Sequence, residues 1–400
     1  MKTFMEKISS VRRHVDGGKY CVMIIGLGSV GSYLLDYLIG RNDEALKLVA
    51  VGRNAKKLRE TVNIRRIAAL IRKQCKSAIE IEGGVDFDNV DALAEAIAKH
   101  RPDFIVNSSR AYPGLNYGFI SWDKIRAYGI WCPLSIHFAK NIMEACAAVD
   151  AQSIVINTSY PDASNAWLKS AGKTYPDLGS GNFNHLIPRM QYAVAELLNV
   201  EDFWNVEPIL AAGHFHDVCI SKDGHSENVH IPLKIYYRGQ EVKLDRQEIF
   251  ARCNPAIPSD GSRNMMNASS NYRLIDAIVS TLRDRQTRRI FPPGAFGNTG
   301  GYPVTIGFNG DEFACEIDTS EFTLEEMREV NQRSMYLDGI EKIDDGKLFY
   351  TDELIRKVKD VFDVELPKFV AYEEIDSIAN FLVDKLLKPN LEPIRHMMWR

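Results

Sequence analysis

Three glycines, spaced as Gly26-Leu27-Gly28-Ser29-Val30-Gly31, form the first stretch of the chain whose residue types and spacing define a chemistry. Such a turn offers backbone N–H groups rather than side chains, so what it binds is an anion. Gly26 allows the tight turn, Gly28 lets the backbone approach a pyrophosphate, and Gly31 lets the next helix pack close to the strand. Ser29 and Val30 open that helix, whose positive end favours the phosphate. About twenty residues on, an acid commonly takes the ribose 2′-hydroxyl of NAD. Here the chain reads Arg53-Asn54-Ala55-Lys56-Lys57. A guanidinium fork at Arg53, with Asn54 beside it, suits a 2′-phosphate and points to NADP over NAD. Further on, Asn107-Ser108-Ser109-Arg110-Ala111-Tyr112-Pro113-Gly114-Leu115-Asn116-Tyr117-Gly118 is a loop of turn formers and aromatics carrying one charge. Asn107 falls to the cofactor side of this loop, and Arg110 is a candidate ligand for a substrate carboxylate.

These residues need a scaffold that brings strand ends to one edge. Short apolar runs at 20–25, 46–51, 103–106 and 153–156 alternate with helical segments, the clearest of which is an amphipathic helix over 138–149. That alternation predicts β-α-β repetition around a parallel sheet, with ligands beyond the C-terminal ends of the strands. The 400 residues carry a net charge of -4, with 45% hydrophobic and 26% charged residues, which argues against a nucleic-acid partner. No run approaches the ~18 apolar residues of a membrane span, and the first twenty residues are polar and mixed in charge. A cytoplasmic protein without membrane contact is expected. The seven cysteines are scattered without C-x-x-C spacing, which predicts neither a disulfide framework nor a metal site.

Beyond residue 157 the text reads Asn157-Thr158-Ser159-Tyr160-Pro161-Asp162, then Gly179-Ser180-Gly181, then Asn184-His185-Leu186-Ile187-Pro188-Arg189. A helix from 190 to 198 follows and closes on Ala195-Glu196-Leu197-Leu198-Asn199-Val200. Later come an amphipathic helix over 274–282, the hairpin-like run 288–297, a strand from 302 to 307, Asn309-Gly310, and Phe322-Thr323-Leu324-Glu325-Glu326 opening another helix. In order and spacing this series, from about 20 to 340, resembles the lactate/malate dehydrogenase family. The resemblance implies an α/β protein with a Rossmann doubly wound parallel sheet over residues 1–160 and an α+β substrate domain over 161–344. Residues 345–400 lie beyond the usual family length, and amphipathic segments near 352–361 and 373–387 predict a helical C-terminal extension. A homodimer or homotetramer is implied by the same resemblance.

In that family a histidine exchanges a proton with a small hydroxy or carbonyl substrate as hydride moves to or from nicotinamide, and an arginine holds the carboxylate. By position, Arg189 matches the arginine, expected at the head of its helix, and Asn157 matches the residue that ends the fifth strand. The run from Ile209 to Asp217 reads as a strand ending in histidines. His214 ranks first for the proton, and His216, expected on the same strand face, ranks second. His225 ranks third. Two departures stand out. No aspartate lies three residues before Arg189 to orient the histidine, leaving only Asn184 or His185 for that task. The second loop arginine is missing from the stretch Leu115, Asn116, Tyr117 and Gly118. The expected activity is an NADP-dependent oxidoreductase acting on a carboxylate-bearing carbonyl, imine or hydroxy substrate. Two alternatives remain: an NAD(P)-dependent glycosidase or lyase, suggested by Asn184-His185 but lacking that group's metal-binding cysteine, and a non-catalytic NADP-binding regulator.

Overall fold

The computed structural model describes residues 3–112, 117–118, 120–258 and 260–390. Helix α1 (Phe4–Asp16) precedes an alternation of β1 (Tyr20–Ile25), α2 (Ser29–Gly40), β2 (Leu46–Gly52), α3 (Ala55–Ile71), β3 (Ala78–Gly83), α4 (Val90–His100), β4 (Phe104–Asn107), α5 (Cys132–Ala148), β5 (Ile154–Asn157), α6 (Pro161–Ser170) and β6 (Leu178–Gly179). The six strands are parallel in the order β3-β2-β1-β4-β5-β6. All six residues of β1 are buried, as expected for a central strand covered on both faces. The strands expected at 20–25, 46–51, 103–106 and 153–156 are β1, β2, β4 and β5 to within a residue. The edge strand β3, whose Ala-Ile-Glu-Ile-Glu-Gly alternates apolar residues with acids, and the two-residue β6 are additions.

The second half builds small antiparallel sheets against this body. Helix α7 (Asn182–Leu198), β7 (Val206–Leu210), α8 (His214–Asp223), β8 (Leu233–Tyr237), β9 (Gln240–Glu241) and α9 (Arg246–Ala251) lead to the long helix α10 (Asn264–Asp284). Then come β10 (Arg288–Ile290), β11 (Val304–Asn309), β12 (Glu312–Ile317) and α11 (Leu324–Leu337). The helix expected from 190 in fact starts at Asn182, where the Asn184 side-chain oxygen accepts from the Gly181 N–H at 3.1 Å, and it runs on through Pro188. Arg189 is therefore a mid-helix residue rather than a helix opener.

The last stretch, β13 (Ile340–Asp344), β14 (Lys347–Tyr350), α12 (Asp352–Phe362), β15 (Phe369–Ala371) and α13 (Ile375–Leu382), contains helices at both expected positions. It also forms a three-stranded antiparallel sheet, β13-β14-β15, that the apolar pattern does not announce because each strand is three to five residues long. Its Ile340, Leu348, Tyr350 and Leu354 join the same apolar cluster as Ile105, Trp131 and Val155 of the large sheet and its cover. Among the described residues no helix is long and apolar enough to cross a membrane.

Candidate active site

The register of the parallel sheet sets the site. Ile25 pairs with Val51 and with Asn107, Asn107 with Asn157, and Asn157 with Gly179, so the glycine turn, Arg53, the Arg110 loop and the Gly179-Ser180-Gly181 turn leave one edge together. At that edge Gly26 takes φ +92, and a Cβ on Gly31 would lie 2.1 Å from the Gly26 carbonyl oxygen, so α2 can start this close only with glycine there. Gly28 caps α2 with no side-chain hydrogen bond to the first-turn N–H groups and has nothing within 4 Å of the place its Cβ would take. Unfilled backbone donors facing open space at a helix start fit a pyrophosphate.

Beside this turn opens a cleft of about 530 Å³, lined by Gly28, Ser29 and Val30 on one side and by Arg110, Arg189 and His214 on the other. The strand expected over 209–217 ends at Leu210. Gly213 instead caps helix α8, and His214 is its first residue. The two histidines therefore sit about 200° apart on a helix rather than on one strand face. His216 is fully buried with neither ring nitrogen partnered, and burial, reinforced by the Arg333 charge, pushes it down to about 4. It is a neutral packing residue outside the cleft. The exposed His225 also lies outside the cleft, its Nδ1 against Cys219 and the Glu227 N–H.

His214 is oriented by a carboxylate from far away in sequence. Its Nδ1 lies 2.9 Å from Oδ2 of Asp338, the residue that caps the C-terminal end of α11, and Asp338 is itself 1% exposed. The same Oδ2 accepts from the Tyr160 hydroxyl at 2.7 Å, and Oδ1 accepts from the Tyr128 N–H at 2.6 Å. The Tyr128 and Tyr160 rings flank the imidazole at centroid distances of 4.6 and 4.9 Å. Tyr160 reaches this position from the left-handed region, φ 46 and ψ 55, a conformation uncommon outside glycine. A Cβ on Gly213 would lie 2.7 Å from the Ser334 hydroxyl, so glycine lets α8 press against α11 and brings Asp338 within reach. Burial alone would push His214 down. The Asp338 charge and hydrogen bond, aided by Asp217 and Asp162, outweigh it and bring the imidazole up to about 9. No carboxylate three residues before Arg189 is needed, because Asp338 does that work.

Arg189 is 8% exposed. One of its terminal nitrogens donates to the Cys253 carbonyl at 3.1 Å, while Nε has no partner. Burial, and then the charge of Arg263, pushes it down. Arg263, just ahead of α10, also lines the cleft and was not singled out by the sequence. Arg110 donates to the Thr158 carbonyl at 3.2 Å and packs against the Tyr117 and Tyr128 hydroxyls. Leu115 and Asn116 lie outside the described residues. The neighbouring His185 is pushed down to about 3, by burial first and by Arg189 second, and stays neutral.

Asn107 and Asn157 do not line the cleft. The Asn107 amide donates to Asn157 Oδ1 at 3.0 Å, and Asn157 in turn donates to Ser164 and Asn165, so the pair ties β4, β5 and α6 together at the edge. Asn54 caps α3, its side-chain oxygen accepting from the Lys57 N–H at 2.9 Å. Arg53 is exposed at the end of β2, its guanidinium 6.0 Å from the Phe87 ring centroid. A larger cleft of about 1350 Å³, lined by Tyr37, Met265, Arg273 and Ile317 among others, includes Asn184 and His185 but neither Arg110, Arg189 nor His214.

No model of a known protein family matches the chain, and no curated protein does. Solved structures do match in fold. MGS-M5, a lactate dehydrogenase from a Medee basin deep-sea metagenome library, aligns over 80% of this chain and 96% of its own with a TM-score of 0.53 and 14% identity. The lactate dehydrogenase of Cryptosporidium parvum aligns over 80% and 96% with a TM-score of 0.50 and 15% identity. The chain has a lactate/malate dehydrogenase-like α/β fold.

Proposed function

We propose that this chain is an NADP-dependent oxidoreductase acting on a substrate that bears a carboxylate next to a carbonyl, imine or hydroxyl carbon. The observation that carries the reading is convergence. The glycine turn, Arg189 with its Nε unpartnered, and His214 backed by Asp338 come together at one cleft at the C-terminal edge of a doubly wound sheet. A nicotinamide nucleotide held by Gly26, Gly28, Ser29, Val30 and Gly31, with Arg53 toward a 2′-phosphate, supplies or accepts the hydride. Arg189 holds the carboxylate and so fixes the reacting carbon. His214, kept protonated at neutral pH by Asp338, gives its Nε2 proton to the substrate oxygen or nitrogen during reduction and takes it back in oxidation. A bias toward the reductive direction near pH 7 follows. Arg110 closes the cleft above the substrate, anchored on Thr158.

The reading is tested by following NADPH oxidation across 2-keto acids, imines and aldehydes. Arg189→Ala should raise KM for acidic substrates with a smaller change in kcat. An unchanged KM removes Arg189 from the site. NADPH and NADH both failing to bind ends the oxidoreductase reading.

A further inference from the structure

Two carboxylates in the cleft keep oxygens that the chemistry described so far does not satisfy. Asp217, in the first turn of α8, is 1% exposed; the Asn182 amide stands beside it, but neither of its oxygens accepts a hydrogen bond of full geometry. Asp162, in the first turn of α6, is 8% exposed, and its Oδ1 is likewise unpartnered. Both line the cleft beside His214. Asp338 differs from them, because the His214 ring, the Tyr160 hydroxyl and the Tyr128 N–H satisfy it. An acid in a first helical turn can simply complement the helix dipole, but that role works at an exposed position and needs no burial. Buried acceptors without donors are rare in folded proteins, and each one calls for an explanation such as an absent ligand.

Charge points the same way. Three acids, Asp162, Asp217 and Asp338, interact with one imidazole, and every one of them raises it. Across the cleft Arg189 and Arg263 stand as two cations, Arg189 with its Nε unpaired, and Asp217 lies near enough to Arg189 to stabilise its charge. The cleft thus has a carboxyl pole, where burial pushes Asp217 well up and Asp162 up to about 6, close to a guanidinium pole. A cationic donor placed between the two acids would hold both ionised. Metal is not the complement that this arrangement suggests. Among the described residues, the His/Cys/Asp/Glu trio whose ligand atoms gather within 4.8 Å is Cys219, Asp223 and His225, and there Arg126 already bridges Asp223 and Glu227.

We propose that the substrate of this cleft carries an ammonium group beside its carboxylate, with Asp217 and Asp162 accepting from the ammonium while Arg189 takes the carboxylate. An ammonium brings three N–H donors and one positive charge, which meets both unpaired acceptors and the local excess of acid. A 2-hydroxy acid brings a single O–H and no charge. This inference rests on the assignment of Arg189 to a carboxylate made above, and it narrows the substrate to an amino acid or an amine formed from one.

The test is calorimetric titration of the full chain, saturated with NADP⁺, using matched pairs: alanine against lactate, aspartate against malate, glutamate against 2-hydroxyglutarate and phenylalanine against phenyllactate. At least one amino acid should bind at least about tenfold more tightly than its hydroxy counterpart, the scale of one charge-assisted hydrogen bond. Asp217→Asn combined with Asp162→Asn should abolish that preference while leaving NADP⁺ affinity within about twofold. The proposal is overturned if no amino acid outbinds its hydroxy partner, or if the preference survives in the double variant. The wild-type comparison stands even if the double variant does not fold. Absence of NADP⁺ and NAD⁺ binding would instead strike the oxidoreductase reading, and tight binding of a hydroxy acid with turnover would keep that reading while ending the amine.

Discussion

At the end of the cleft proposed for the nucleotide, one turn from Gly26 to Gly31 would supply the recognition, and it would do so with backbone. At the substrate end, His214, Asp338, Tyr160 and Tyr128 come from separate elements up to 210 residues apart and act through side chains. The first arrangement is local, so its geometry follows from the turn itself. The second exists only when α8, α11 and the start of α6 pack together. The two ends should therefore fail differently when changed: the nucleotide end in affinity, the substrate end in rate and pH response.

The largest effect should come from His214→Gln, which removes the proposed proton donor. Turnover should fall by about 10³-fold, within the usual range for a general acid or base, with NADPH affinity within about twofold of the parent. An equal loss in nucleotide affinity would mean that the two ends are not separable. Asp338→Asn should follow, with a loss of about a hundredfold and a shifted pH profile. The sign is set by the raised imidazole. His214 stays cationic through neutral pH and loses its proton as pH rises through about 9, so the reductive rate should hold up to that pH and then decline. The pair's contribution to stability has the same window, full below the ordinary imidazole range and lost through about 9. Without the Asp338 charge, burial dominates, and both declines should move to lower pH. A profile that does not move would show that Asp338 only holds structure.

Gly31→Ala addresses the other end. A methyl there would stand 2.1 Å from the Gly26 carbonyl oxygen and 2.7 Å from the Ser108 hydroxyl, and backbone cannot step aside cheaply. The start of α2 must shift, at a cost of about 1–3 kcal/mol. Nucleotide affinity should drop by about tenfold or more, while the His214–Asp338 pair keeps its alkaline decline near pH 9 in whatever activity remains.

What the sequence reveals divides along the same line. The glycine spacing, the buried β1 and the strand ends are local patterns, and each can be read without knowing the fold. Arg189 and His214 are also legible, through the order of motifs. The partner of His214 is not. Asp338, followed by Gly339 at the end of a helix, reads as an ordinary helix terminus, and nothing at position 338 speaks of position 214. Asp217 and Asp162 likewise look like first-turn acids until the structure shows them buried with unsatisfied oxygens. The strand read over 209–217 fails for a reason that the sequence does contain: glycine is an accepted N-cap, and Gly213 directly precedes the polar run His214-Phe215-His216-Asp217. The apolar run Ile209 to Ala212 masks that signal.

The smallest expected effect, from Arg53→Asp, also separates most finely. Arg53 is exposed, with its guanidinium over the Phe87 ring, so any pairing with a 2′-phosphate is formed in water-like surroundings and is screened by salt. Its worth should be about 1–1.5 kcal/mol, a factor of about ten in affinity. Because NADH lacks the phosphate, NADPH should weaken by that factor while NADH stays constant or improves slightly, and the difference should shrink as ionic strength rises. An equal loss for both nucleotides would mean that Arg53 merely shapes the end of β2, and the nucleotide end would then be fixed by its glycines alone. Selective loss of NADPH would show that even the backbone-built end relies on one side chain, supplied by the neighbouring strand, to choose between two cofactors that the turn itself cannot distinguish.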